Sequence, residues 1–113
     1  MTSSYIPDRG DLIWLTFDPQ VGHEQAGRRP AIVLSLKRYN QSSRLPLVCP
    51  ITRKAIGYPF ELSLPMGSTI SGVILTDQIK SSDWLGRNAS FIGRAPLTLI
   101  DEILARVRPI LGS

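Results

Sequence analysis

The sequence predicts a mainly β fold with a C-terminal helix, arranged as a small, strongly curled barrel with the helix packed on it. Three observations carry this. Six or so short apolar runs recur along residues 10–93, separated by turns rich in glycine, proline and polar residues. The run 10–17 (GDLIWLTF) is apolar on both faces, as a strand packed on either side must be. From Pro96 onward the apolar period changes from two to steps of three and four, one face of a helix. At 113 residues the chain fits one domain, 1–113.

Residues 1–7 read as a loose arm. Strand 10–17 carries Leu12, Trp14 and Thr16 on one face and Ile13, Leu15 and Phe17 on the other, and Asp18-Pro19 ends it. The loop 22–30 (GHEQAGRRP) follows, its glycines permitting tight turns. Pro30 then opens a β-branched second strand at 31–36. The loop therefore ends rigidly, with Glu24 and Arg29 delivered at its base. Residues 37–44 (KRYNQSSR) are polar and turn-rich, hence a loop. The third strand is 45–51, with Pro46 and Pro50 at or near its ends. Gly57 punctuates a turn before an edge strand at 58–64. Residues 72–80 (GVILTDQIK) form a strand, 81–84 a short turn or helix, and 88–93 a last short strand. In the final helix Leu97, Ile100, Ile103, Leu104, Val107 and Leu111 share a face. Thr98 with Asp101 resembles a capping box, although Pro96 at the first helical position serves as well. Pro109 limits the helix.

The net charge is +4 and the pI near 9.7, which favours a polyanionic partner. From Gln25 to Phe60 there is no carboxylate, yet Arg28, Arg29, Lys37, Arg38, Arg44, Arg53 and Lys54 all lie there. Such a run is a solvated face or a polyanion surface, and this one adjoins the Glu24 loop. The only cysteine, Cys49, allows no intrachain disulfide and reads as a small buried hydrophobe in its strand. No signal peptide opens the chain, and no apolar run approaches the roughly twenty residues that span a bilayer; a cytoplasmic protein without membrane contact is expected.

One histidine and one cysteine, far apart, argue against a transition-metal site. Asp8, Asp11 and Asp18 are too dispersed for a carboxylate cage. With no phosphate-binding loop, dinucleotide fingerprint or serine elbow either, no cofactor is expected. What remains is metal-free acid–base work, and it suits one reaction. In RNA the 2′-hydroxyl attacks its own neighbouring phosphate, so the protein need supply only a base, a cation for the developing charge and a proton for the leaving 5′-oxygen. Glu24 serves as base, Arg29 as cation and Thr52 as a hydroxyl donor to a phosphate oxygen. The planar fork of arginine suits phosphate better than lysine.

Through PDRGDLIWLTFDP, GHEQAGRRPAIVLS, VCPITRK, GYPFELSL and ILTDQIKSSDW, in that order and spacing, the chain resembles the MazF/PemK endoribonuclease toxins of bacterial toxin–antitoxin modules from Pro7 to the C-terminal helix. The resemblance implies that Arg29, in Glu-Gln-x-Gly-x-Arg-Pro, is the catalytic arginine, Thr52 the catalytic threonine and Glu24 the loop glutamate. It further implies an SH3-like barrel of the MazF/PemK/CcdB type and a homodimer. The activity would be cleavage of single-stranded RNA at short motifs, leaving a 2′,3′-cyclic phosphate and a 5′-OH. The partner would be an antitoxin whose extended acidic segment occupies the RNA groove.

His23 departs from the small residue many relatives carry; it is a further proton carrier or an exposed, RNA-contacting loop residue. Gln25 bonds the loop backbone or the substrate, and Arg28 reads as a surface charge that contacts phosphate at most. Arg53 and Lys54 extend the cationic run to the substrate. Tyr39 is a base-stacking candidate and equally a packed loop anchor. Asp77 and Gln78 read a base edge or join a polar network. Trp14 is expected in the core and Trp84 near a surface or dimer contact. Two rivals share the features: a CcdB-type gyrase-inhibiting toxin, which shares the architecture without the enzyme, and a basic nucleic-acid-binding module.

Overall fold

Strand β1 (Asp11–Phe17) is the pivot of an antiparallel sheet, because it pairs with β2 (Gly27–Val33) along one edge and β7 (Ser90–Arg94) along the other. The computed structural model describes residues 5–17 and 27–112. Beyond β2 lies β3 (Leu47–Thr52), which serves two neighbours in turn. Its beginning pairs with β6 (Lys80–Ser81) and its end with β5 (Val73–Leu75), which pairs with β4 (Glu61–Ser63). The order is β4-β5-β3-β2-β1-β7, with β6 beside β3. Helix α1 (Lys37–Ser43) joins β2 to β3, and α2 (Leu97–Leu111) closes the chain. This is the mainly β fold with a C-terminal helix that the apolar pattern predicts.

Both faces of β1 are covered, as its composition requires. Leu12 packs with Ile32, Cys49, Ile51 and Ile74 beneath α2, which contributes Leu99, Ile100, Ile103 and Val107. Ile13, Leu15 and Phe17 pack on the other face with Ala31, Val33 and Val48, flanked by Tyr5 and Ala89. Among the described residues no helix is long and apolar enough to cross a membrane.

Several expectations are corrected. Residues 37–43 form a helix, not a loop; its lock is the fully buried Asn40, whose Nδ2 donates to the carbonyls of Pro7 (2.7 Å) and Ser35 (3.0 Å). The second strand occupies Gly27–Val33 rather than 31–36, so Arg28, Arg29 and Pro30 are strand residues held by β1. The strand read at 72–80 breaks at Leu75 into a single 3-10 turn, Thr76–Gln78, before β6. The edge strand read at 58–64 shrinks to β4. No side chain caps α2, and Pro109 sits inside its last turn, which Gly112 ends with φ 87°. Leu99 takes the buried place expected for Leu97 and Leu111, which are exposed. Trp84, expected near a surface or dimer contact, is buried within this chain.

Candidate active site

The antiparallel register is what brings the predicted catalytic pair together. β2 pairs with β3 at Ala31↔Pro50, Ile32↔Cys49 and Val33↔Val48. Continued past the last paired residues, this register aligns Arg29 with Thr52, and residues aligned across strands share a face. Arg29 itself sits opposite Leu15 of β1, so a fully buried strand residue anchors its backbone.

Both residues line a cleft of about 1460 Å³ at this end of the sheet, with Arg28, Arg53 and Lys54 on its walls and Asp77 and Gln78 of the 3-10 turn beside them. Trp14, half-buried rather than wholly in the core, lines it too, as does Ile51. The structure thus gathers seven of the sequence-predicted residues: Arg28, Arg29, Thr52, Arg53, Lys54, Asp77 and Gln78. Tyr39 is not among the lining residues; it sits half-exposed on α1. His23, Glu24 and Gln25 lie outside the described residues.

The site is tightly built around Thr52. Its Oγ1 accepts the Lys54 N–H at 3.3 Å, and its backbone pairs with Val73. The neighbouring Gly72 has φ 140°, and a Cβ there would lie 2.6 Å from the Thr52 carbonyl oxygen. Only glycine lets β5 approach the end of β3 this closely. Arg28 is not a bare surface charge, because its guanidinium donates to the Thr16 hydroxyl (3.1 Å), the Asn88 carbonyl (2.8 Å) and the Ser90 hydroxyl (3.1 Å). It fastens β2 to β1 and to the start of β7 while facing the cleft.

Two carboxylates temper the cations. The Glu61 carboxylate accepts the N–H groups of Ile56 and Gly57, and Asp77 lines the cleft together with Tyr58. The Asp77 carboxylate raises the Tyr58 pKa. Sequence reading missed Glu61, Tyr58 and Ile56 as cleft residues. A signal existed for Glu61, since it is the first carboxylate after the stretch 25–60 that has none. Behind the cleft the Cys49 thiol is pushed up to about 12, mainly by burial and then by the charge of Asp77, which suits the inert role read for it. Among the described residues no three His, Cys, Asp or Glu side chains cluster in a way that could hold a metal ion.

The family model for PemK-like, MazF-like toxins of type II toxin–antitoxin systems matches residues 8–111. The chain belongs to this family. It is 45% identical over 112 residues to the endoribonuclease toxin MazF of Escherichia coli K12, covering 99% of this chain and all of that protein. The crystal structure of MazF from Deinococcus radiodurans superposes with a TM-score of 0.92 at 46% identity, covering 97% of this chain and 100% of that one. A MazE–MazF complex from the same organism gives 0.87 at 47% identity, over 96% and 98% of the two chains. For a MazF/PemK-family chain, the cationic cleft around Arg29 and Thr52 is the feature to explain chemically.

Proposed function

We propose that this MazF/PemK-family toxin is a metal-independent endoribonuclease that cuts single-stranded RNA, mRNA included, at short sequence motifs. The observation that carries the reading is the meeting of Arg29 and Thr52, from separate strands, in one cleft with Arg28, Arg53 and Lys54. The phosphate backbone of RNA is drawn to such a cationic groove. The ribose 2′-oxygen attacks phosphorus and the bond from phosphorus to the 5′-oxygen breaks, leaving a 2′,3′-cyclic phosphate and a 5′-OH. Glu24 takes the proton of the 2′-hydroxyl. The Arg29 guanidinium balances the charge that grows on the phosphoryl oxygens, and the Thr52 hydroxyl donates to one of them. The leaving 5′-oxygen takes up a proton from water as the bond to phosphorus breaks.

We read residues 1–113 as one toxin domain that works as a homodimer. The MazE–MazF complexes of its relatives support an antitoxin partner; we read that partner as an acidic chain that competes with RNA for the cleft. The test is cleavage of a long defined RNA in excess chelator, with mapping of the cut ends. Replacing the ribose at a mapped cut with a 2′-deoxy sugar is expected to protect that bond completely. Arg29→Ala is expected to lower the rate about a hundred- to a thousandfold with the fold intact. Cleavage of the deoxy-substituted bond, or near-normal activity in Arg29→Ala, overturns the proposal. Supercoiling by gyrase in the presence of the toxin is expected to be unaffected.

A further inference from the structure

We infer that Glu61 is a positioning residue that sets RNA affinity, by holding the segment 53–60 so that Arg53 and Lys54 face the cleft; the inference rests on the RNA-cleavage reading above. Between β3 and β4 this segment contains neither helix nor strand, and most of it is exposed. A chain of that kind has many conformations open to it unless side chains fix it. Here the cations that would meet a phosphate backbone ride on the least regular part of the cleft wall.

The fastening is specific. Glu61, half-buried at the start of β4, accepts the Ile56 N–H at 3.0 Å on Oε2 and 3.3 Å on Oε1, and the Gly57 N–H at 3.1 Å on Oε1. Successive backbone N–H groups turned toward one anion form a concavity that grips it. Gly57 makes that turn possible with φ 80°; no atom lies near its absent Cβ, so the requirement is conformational rather than spatial. The backbone N–H of Glu61 also donates to the Tyr58 carbonyl at 3.0 Å. Farther along, the Thr76 hydroxyl donates to the Phe60 carbonyl at 2.6 Å, so the segment is pinned at its middle and at its end. The Glu61 carboxylate therefore spends its acceptors on the backbone of the segment, which is the geometry of a clamp and not of a base aimed at substrate.

The experiment uses an oligoribonucleotide carrying a mapped cut, with the wild type, Arg29→Ala, Glu61→Ala, Glu61→Gln and Gly57→Ala, alongside amide hydrogen exchange. Glu61→Ala is expected to raise KM about tenfold, leave kcat within about twofold, and lose exchange protection at Ile56 and Gly57. Glu61→Gln keeps an acceptor oxygen and is expected to recover most of the affinity. Gly57→Ala is expected to behave like Glu61→Ala, and it carries the test should Glu61→Ala not fold. A loss of kcat shared by Glu61→Ala and Glu61→Gln would point to proton transfer and overturn the inference. So would a wild-type KM in Gly57→Ala, or unchanged exchange at Ile56 and Gly57 in the Glu61 variants. A wild type that cuts no RNA counts against the cleavage reading instead, and the exchange measurement then judges the clamp alone.

Discussion

Asp11 and Glu61 do the same thing in different places. Each is a single carboxylate gathering donors from separate stretches of chain. Asp11, 2% exposed, accepts the Tyr5 hydroxyl (2.7 Å), the Asp8 N–H (3.0 Å) and the Arg94 guanidinium (3.0 Å), joining the N-terminal arm to β1 and the end of β7. Burial and the bond to Asp11 push the Tyr5 hydroxyl well above its ordinary pKa, so it stays a donor. Glu61 binds backbone N–H groups at the rim of an open cleft, where water readily replaces a lost bond. The same chemistry contributes stability where solvent is excluded and geometry where it is not.

The comparison is sharpest at Asp11. Asp11→Ala strands a half-buried hydroxyl and backbone N–H and removes the Arg94 partner, and is expected to cost about 3 kcal/mol in urea melts, with the KM for RNA unmoved. Gly72→Ala tests the boundary between scaffold and site, since its Cβ would meet the Thr52 carbonyl. It is expected to lose about 2 kcal/mol and also to lower kcat, because Thr52 must shift; a loss of stability with full activity would separate the two regions more cleanly than proposed here. Cys49 gives a pH-dependent measure of the core. Its folded pKa lies above its unfolded value, so the unfolded chain loses the proton first as pH rises past about 9. Stability from this group is complete below that point and falls with increasing pH, by about 1 kcal/mol at pH 10, a slope that Cys49→Ala should abolish. Smallest is the effect of Glu61→Ala on urea stability, expected below about 0.5 kcal/mol.

Much of the scaffold was legible because it obeys local rules. The two-faced apolar run of β1 and the helical period of α2 needed no tertiary information. The cleft cations were legible as a run without carboxylates. Helix α1 was not, because its start is capped from far away: the Lys37 N–H donates to Asp8 at 2.9 Å, and no local side chain caps it. Its single buried polar residue, Asn40, leaves no apolar period to find. The break at Leu75 was hidden by the apolar run Val73-Ile74-Leu75 leading straight into β-branched Thr76. Thr76 turns the backbone there to satisfy the Phe60 carbonyl, a bond across elements that spacing does not encode. Glu61 was overlooked for a similar reason, as its partners are backbone groups rather than side chains.

The lone thiol has a practical consequence. Cys49 is enclosed in the sheet and holds its proton under ordinary handling, so it takes up electrophilic dyes poorly while the protein is folded. A single Ile56→Cys substitution, at a side chain 79% exposed, therefore accepts a maleimide fluorophore at one position without first removing the native sulfur. The emission of that dye then follows the wall of the groove as nucleic acid enters and leaves.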